Sequence, residues 1–305
     1  MLAQIQQDSL ALIGVPSSAG ARKLGQEQGP RQLRAAGLPD ILRSAGHDVM
    51  DLGDLPQVSY SPDAHNPRSQ NLPLVIDVCG RVGDAVETAV ENNAWPLVLG
   101  GDCSITIGVL AALTRHCDNL GMAYIDGDLD LNTPQTTTSG IFDGMVLGHV
   151  LGGGANELRN VGSRSPLLKQ ENITLFGYSV AAGGVDPIEL DLLNNLQVQK
   201  YPREDIESDI QGSARKALKY LENETDRFLV HFDLDVIDFD DFPAVDVPHR
   251  PGLSVQQAQA ALAVFLSSRK SAGLVVTEFN AAMDSDGSLA RRLSDLLRGV
   301  LPTHH

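Results

Sequence analysis

The chain has 305 residues, 42% hydrophobic and 20% charged, enough to bury a large core in one α/β domain over residues 1–305. Its 39 acidic against 23 basic residues give a net charge of −16, which works against nucleic-acid or anionic-membrane binding, since both need basic patches to neutralise phosphate. No apolar run approaches the ~18 residues of a membrane-spanning helix and MLAQIQQDSL lacks the regions of a signal peptide, so a soluble, cytoplasmic protein is expected.

In chain order, short runs of Leu, Val, Ile and aromatic residues predict strands at 10–15, 47–52, 97–99, 122–126, 173–177, 228–233 and 274–278. Helical periodicity predicts helices at 30–44, 74–92, 104–115, 213–223, 254–268 and 288–301. Residues 58–71 read as a surface loop, and no repeat or low-complexity tract interrupts the pattern. Such alternation allows an open sheet or a barrel. In both, the chemistry belongs at the carboxyl ends of the strands.

Three of the apolar runs lead straight into acidic groups: WPLVLGGDCS (95–104), GMAYIDGDLDLN (121–132) and RFLVHFDLDVID (227–238). Their ligand-capable residues are Cys103, Asp126, Asp128, Asp130, Asp233 and Asp235. Side chains at i and i+2 of extended backbone share a face, so each acidic group aims at one place, with Gly127 leaving the backbone room to bend. Carboxylates so crowded repel one another unless cations or protons offset them, and a site for two cations is the economical explanation. Oxygen-rich coordination prefers Mn, Mg or Ca, whereas a lone thiolate pulls toward Zn or Fe.

Of the three cysteines, Cys79 and Cys117 lie in helical patterns and read as buried thiols. Cys103 precedes a helix start, whose dipole favours a thiolate, and reads either as a ligand or as a buried or redox-active thiol. His231 shares a face with Asp233, as a satisfied core histidine or as a ligand. His304 and His305 are given no role.

GGDCS (100–104), DGDLDLNTPQTTTSGIFDG (126–144) and HFDLDVID (231–238) resemble the GGDHS, DAHxDxN…TTTSG…HG and SxDxDxxDP motifs of the ureohydrolase superfamily of arginases, agmatinases and their relatives. The opening at 12–38 and VVTEFNA (275–281) extend the likeness over roughly residues 10–300. Cys103, Asp128 and Asp143 stand where the family pattern has histidine.

The resemblance implies a three-layer α/β/α fold with a mostly parallel sheet of about eight strands, assembled as a homo-oligomer, a trimer or hexamer. It implies two Mn ions, one held by Cys103, Asp126, Asp130 and Asp233, the other by Asp126, Asp128, Asp233 and Asp235. A metal-activated hydroxide would then cleave a C–N bond of a guanidino or amidino compound, arginine-like or N-hydroxylated. Asp130, Asp143 and Glu278 are the catalytic candidates, Asp143 at the proton-shuttle position; Asn132, Thr137, Ser139, Asp186 and Glu189 are the substrate-binding ones. An apparent insertion at 181–184 marks where substrate choice would diverge. The alternative is a noncatalytic member that binds a ligand or partner through an altered or empty metal site.

Overall fold

The computed structural model describes residues 9–180 and 185–302. Their strands are β1 (Ser9–Gly14), β2 (Asp48–Asp54), β3 (Trp95–Leu99), β4 (Leu120–Ile125), β5 (Ile173–Phe176), β6 (Gln199–Tyr201), β7 (Arg227–Asp233) and β8 (Ser271–Thr277). They form one sheet in the order β2-β1-β3-β8-β7-β4-β5-β6, and every neighbouring pair is parallel. The expected three-layer architecture is present, with the sheet wholly rather than mostly parallel.

The helices are α1 (Gly29–Ala35), α2 (Leu38–Ser44), α3 (Leu72–Glu91), α4 (Ile105–His116), α5 (Val146–Val150), α6 (Asn156–Arg159), α7 (Pro187–Asn194), α8 (Arg203–Ile206), α9 (Ile210–Glu224), α10 (Val255–Leu266) and α11 (Ser288–Val300). Residues of α1, α2 and α9–α11 build the apolar layer on one face of the sheet; residues of α3–α5 build the layer on the other. Both faces are covered, which is why the central strands read as unbroken apolar runs.

Two departures from the predicted elements have local causes. The helix expected over 30–44 is broken at Gly37, whose φ of 86° ends α1, and Pro39 then sits in the first turn of α2 where its missing N–H costs nothing. Strand β6 was not expected. It has only three residues, Gln-Lys-Tyr, at the sheet edge, too short and polar for a periodic signal. Among the described residues no helix is long and apolar enough to cross a membrane.

Candidate metal centre

Parallel pairing brings the ends of four adjacent strands to one edge. Leu99, Val276, Phe232 and Ile125 stand in one row across β3, β8, β7 and β4. The next residue along each chain is Gly100, Thr277, Asp233 or Asp126, at the carboxyl edge where open α/β sheets bind their ligands. Alternation along β7 sends Phe228, Val230 and Phe232 to the α9–α11 layer, leaving His231 and Asp233 on the α3–α4 side together with Tyr124 of β4. Gly100 and Gly101, with φ of 88° and 84°, turn the chain sharply after β3 and deliver Cys103 just before α4.

Cys103, Asp126, His231 and Asp233 form a buried inner group whose ligand-capable atoms all lie within 4.8 Å of one another. Cys103 Sγ donates to Asp233 Oδ2 at 2.6 Å and lies 3.1 Å from Thr277 Oγ1. The His231 ring is stacked on Tyr124 at 4.2 Å, and its Nδ1 is 2.8 Å from Thr106 Oγ1. Its Nε2 faces the group, 3.6 Å from both Cys103 Sγ and Asp126 Oδ2. Asp126 Oδ1 accepts the Asp128 N–H at 2.6 Å, while Oδ2, though buried, has no hydrogen bond. His231 is thus anchored as a core residue through one nitrogen and presented to the site through the other. Burial lowers its pKa to about 3, which keeps it in the neutral form that ligates metal.

The helix start expected to favour a Cys103 thiolate is outweighed. Burial, then the charges of Asp233, Asp143, Asp126 and Glu278, push the thiol well above its usual range, so it keeps its proton and donates it to Asp233.

Asp128, Asp235 and His249 form an outer group. His249 carried no role in the sequence reading; it arrives on a loop that doubles back after β7. Ile237 bridges Leu253, Asp238 N–H donates to Leu253 O at 2.7 Å and Phe239 N–H to His249 O at 3.0 Å. His249 Nε2 is buried without a hydrogen bond, 3.5 Å from Asp128 Oδ2 and 3.9 Å from Asp235 Oδ2. Burial opposes its protonation, but the adjoining Asp128 and Asp235 carboxylates win and raise it to about 9. Asp235 Oδ1 accepts the Gly127 N–H at 3.1 Å.

Beneath Cys103 lies a third group. Asp143 Oδ1 accepts the Cys103 N–H at 2.9 Å; Glu278 Oε2 accepts from Gln26, and its Oε1 is buried without a partner. Asp130 and Glu278 both hold left-handed backbone, φ 48° and 67°. For non-glycine residues this costs of order ~1–3 kcal/mol each, a strain that tends to gather at functional sites.

A cavity of about 220 Å³ opens over these groups, and every predicted site residue except Glu278 lines it, together with Arg22. Asp130 shares the cavity, but its carboxylate accepts the Tyr124 hydroxyl and belongs to none of the three groups. Asn132 Oδ1 accepts from Thr136 Oγ1 at 3.0 Å, and Thr137 Oγ1 accepts the N–H groups of Ser139 at 3.2 Å and Gly140 at 2.9 Å, so Thr137 orders the turn that presents Ser139. Asp186 caps α7 by accepting the Ile188 N–H at 2.8 Å. Glu189 accepts the Leu131 N–H at 2.8 Å, and burial pushes it up to about 7. Residues 181–184 lie outside the described residues.

The donors fit divalent cations. Burial, then neighbouring acids, raise Asp126, Asp130, Asp233 and Glu278 well above the carboxylate range, and burial with Asp102 raises Asp143 to about 8. Protons therefore offset the crowded charge where cations could. The unpartnered Asp126 Oδ2 and Glu278 Oε1 are acceptor atoms of the kind that cation binding satisfies, and His249 Nε2 joins them once a bound cation displaces its proton.

The model of the arginase family matches residues 8–301. The chain is 30% identical to an arginase of Bacillus caldovelox over 286 residues, covering 92% of this chain and 94% of that one. It is 30% identical to an arginase of Staphylococcus aureus over 294 residues, 95% of each. It superposes on the crystal structure of arginase from Bacillus cereus with a TM-score of 0.88 at 29% identity, covering 98% of this chain and 99% of that one.

Proposed function

The chain belongs to the arginase family, and from that premise we propose that it is a metal-dependent hydrolase of the ureohydrolase type, cleaving a C–N bond of a guanidino or amidino compound. One observation carries the proposal: Cys103 and the carboxylates of Asp126, Asp128, Asp233 and Asp235, from the inner and outer groups at the carboxyl edge of the sheet, line a single cavity. Two divalent cations, Mn first among those to test and Zn, Fe, Mg and Ca after it, would supply Lewis acidity that activates water and polarises the reacting carbon. Cys103, Asp126, Asp128, Asp130, Asp233 and Asp235 are the proposed holders.

The remaining roles follow from placement. Asp143, raised to about 8, can hold a proton at neutral pH and release it within the working range, as a group at the shuttle position must. Bound cations would lower that value through their own charge. Asp130, fixed by Tyr124, is placed to orient the attacking water. The free Oε1 of Glu278 can take an N–H of a guanidinium that reaches the floor beneath Cys103. At the cavity wall Asn132, Thr137 and Ser139 offer polar contacts to a substrate carboxylate, and Asp186 and Glu189 offer theirs to an amino group. Assembly as a trimer or hexamer is part of the same proposal, and light scattering on the purified protein tests it.

The noncatalytic reading has one observation in its favour: the Cys103–Asp233 hydrogen bond closes the inner group without a cation. Urea or ammonia release from a panel of guanidino and amidino compounds with added Mn separates the two. The hydrolase reading expects metal-dependent turnover of at least one compound, lost in Asp233→Ala. No turnover on any compound sinks it.

A further inference from the structure

We propose that His249 is a metal ligand, forming with Asp128 and Asp235 a cation position that this chain completes from its 238–253 loop rather than from its strand-end motifs. The inference rests on the metal-dependent reading above and goes beyond it by naming a donor outside those motifs.

Three observations converge on it. The His249 side chain is 8% exposed, so its Nε2 is largely cut off from water, yet it makes no well-formed hydrogen bond and only faces the Asp128 and Asp235 carboxylates. A buried imidazole nitrogen left unpaired is costly unless a partner arrives. Another buried imidazole, His149, which does not line the cavity, behaves differently: it uses both nitrogens, Nδ1 at 2.8 Å from Met145 O and Nε2 accepting the Ala155 N–H at 2.9 Å.

The separations also suit an ion. Around a cation with bonds of about 2.0–2.2 Å, neighbouring ligand atoms stand roughly 3.0–3.6 Å apart. His249 Nε2 lies 3.5 Å from Asp128 Oδ2 and 3.9 Å from Asp235 Oδ2, so small adjustments bring all three onto one ion.

Finally, the chain makes room for the ring. A Cβ on Gly127 would stand 2.5 Å from His249 Cδ2 and 2.7 Å from its Nε2. Gly127 is not among the glycines with positive φ. The chain bends at Gly127 as the sequence suggested, and the missing side chain also leaves space for the imidazole. The glycine between Asp126 and Asp128 and the histidine at 249 therefore fit as a pair.

The test is a titration of the metal-free protein with Mn2+, free Mn2+ being counted by electron paramagnetic resonance, on the natural chain and on His249→Asn and Gly127→Ala. The natural chain is expected to take up two equivalents. His249→Asn should weaken one of them at least tenfold and leave the other within about twofold. Gly127→Ala, which keeps every ligand but displaces the ring, should weaken the same equivalent. Added imidazole should restore it in His249→Gly. Unchanged affinity for both equivalents in a folded His249→Asn protein overturns the assignment while leaving the metal-dependent reading intact. A natural chain that takes up no Mn2+ overturns both.

Discussion

The inner and outer groups lie side by side at the same sheet edge and are built in different ways. In the inner group, Asp126 and Asp233 leave the ends of neighbouring strands, and His231 is locked between Tyr124 and Thr106. In the outer group Asp128 keeps 29% of its side chain exposed, and His249 comes from a returning loop. Strand register holds the first, and loop closure holds the second. The inner group should therefore behave as part of the core and the outer group as the adjustable half of the site.

The largest effect should come from the residue that joins the two halves. Asp233 accepts the Cys103 thiol through Oδ2 and the Asp235 N–H at 2.7 Å through Oδ1. Asp233→Ala is expected to lower metal-dependent hydrolysis by on the order of a thousandfold or more, read from initial rates at saturating Mn.

Stability should separate the groups next. His231→Ala removes a fully buried ring and strands Thr106, so urea denaturation of the metal-free protein should report a loss of about 3 kcal/mol. His249→Asn should cost less when measured above pH 9, where His249 has largely lost the proton that its carboxylate neighbours hold, because the ring keeps slight exposure and comes from a loop. Equal losses would erase the distinction.

Acidity gives a third handle. Asp235 is raised to about 6, Glu189 to about 7, Asp143 to about 8 and His249 to about 9. Each folded-state value lies above the unfolded one, so the folded protein holds more protons, and that contribution is lost as pH rises through the folded values. The metal-free Tm should therefore fall between pH 6 and pH 9. Saturating Mn should flatten or reverse the slope, since cations displace those protons. A metal-free Tm that climbs over this window would contradict the assignment of raised values.

The smallest effect is expected at the cavity rim. Ser139→Ala removes a hydroxyl 3.3 Å from Thr137 Oγ1 on a partly exposed turn, so stability should change by under ~0.5 kcal/mol, with any kinetic change in KM rather than kcat.

The same contrast explains what the sequence made legible. Asp126, Asp233 and Asp235 could be read because period-two alternation and a glycine turn are local signals, and the parallel sheet followed from alternating strands and helices. His249 could not, because its approach to Asp128 depends on Ile237 pairing with Leu253, a contact no local pattern encodes. The VPHRPGLS stretch holds a lone histidine among loop residues, the weakest of signals. The protonation of Cys103 was hidden for a similar reason. Its helix start is visible in the sequence, but the carboxylates that outweigh it converge from Asp126, Asp143, Asp233 and Glu278 only in the folded chain.

Metal content measured by elemental analysis, on protein purified without chelators and alongside Cys103→Ala and Asp128→Ala, tests the central claim most directly. Two cations per chain, with one lost in each variant, is the expected result. A natural chain with essentially no metal, and no uptake on dialysis against Mn, would contradict it and leave the buried carboxylates to be offset by protons alone.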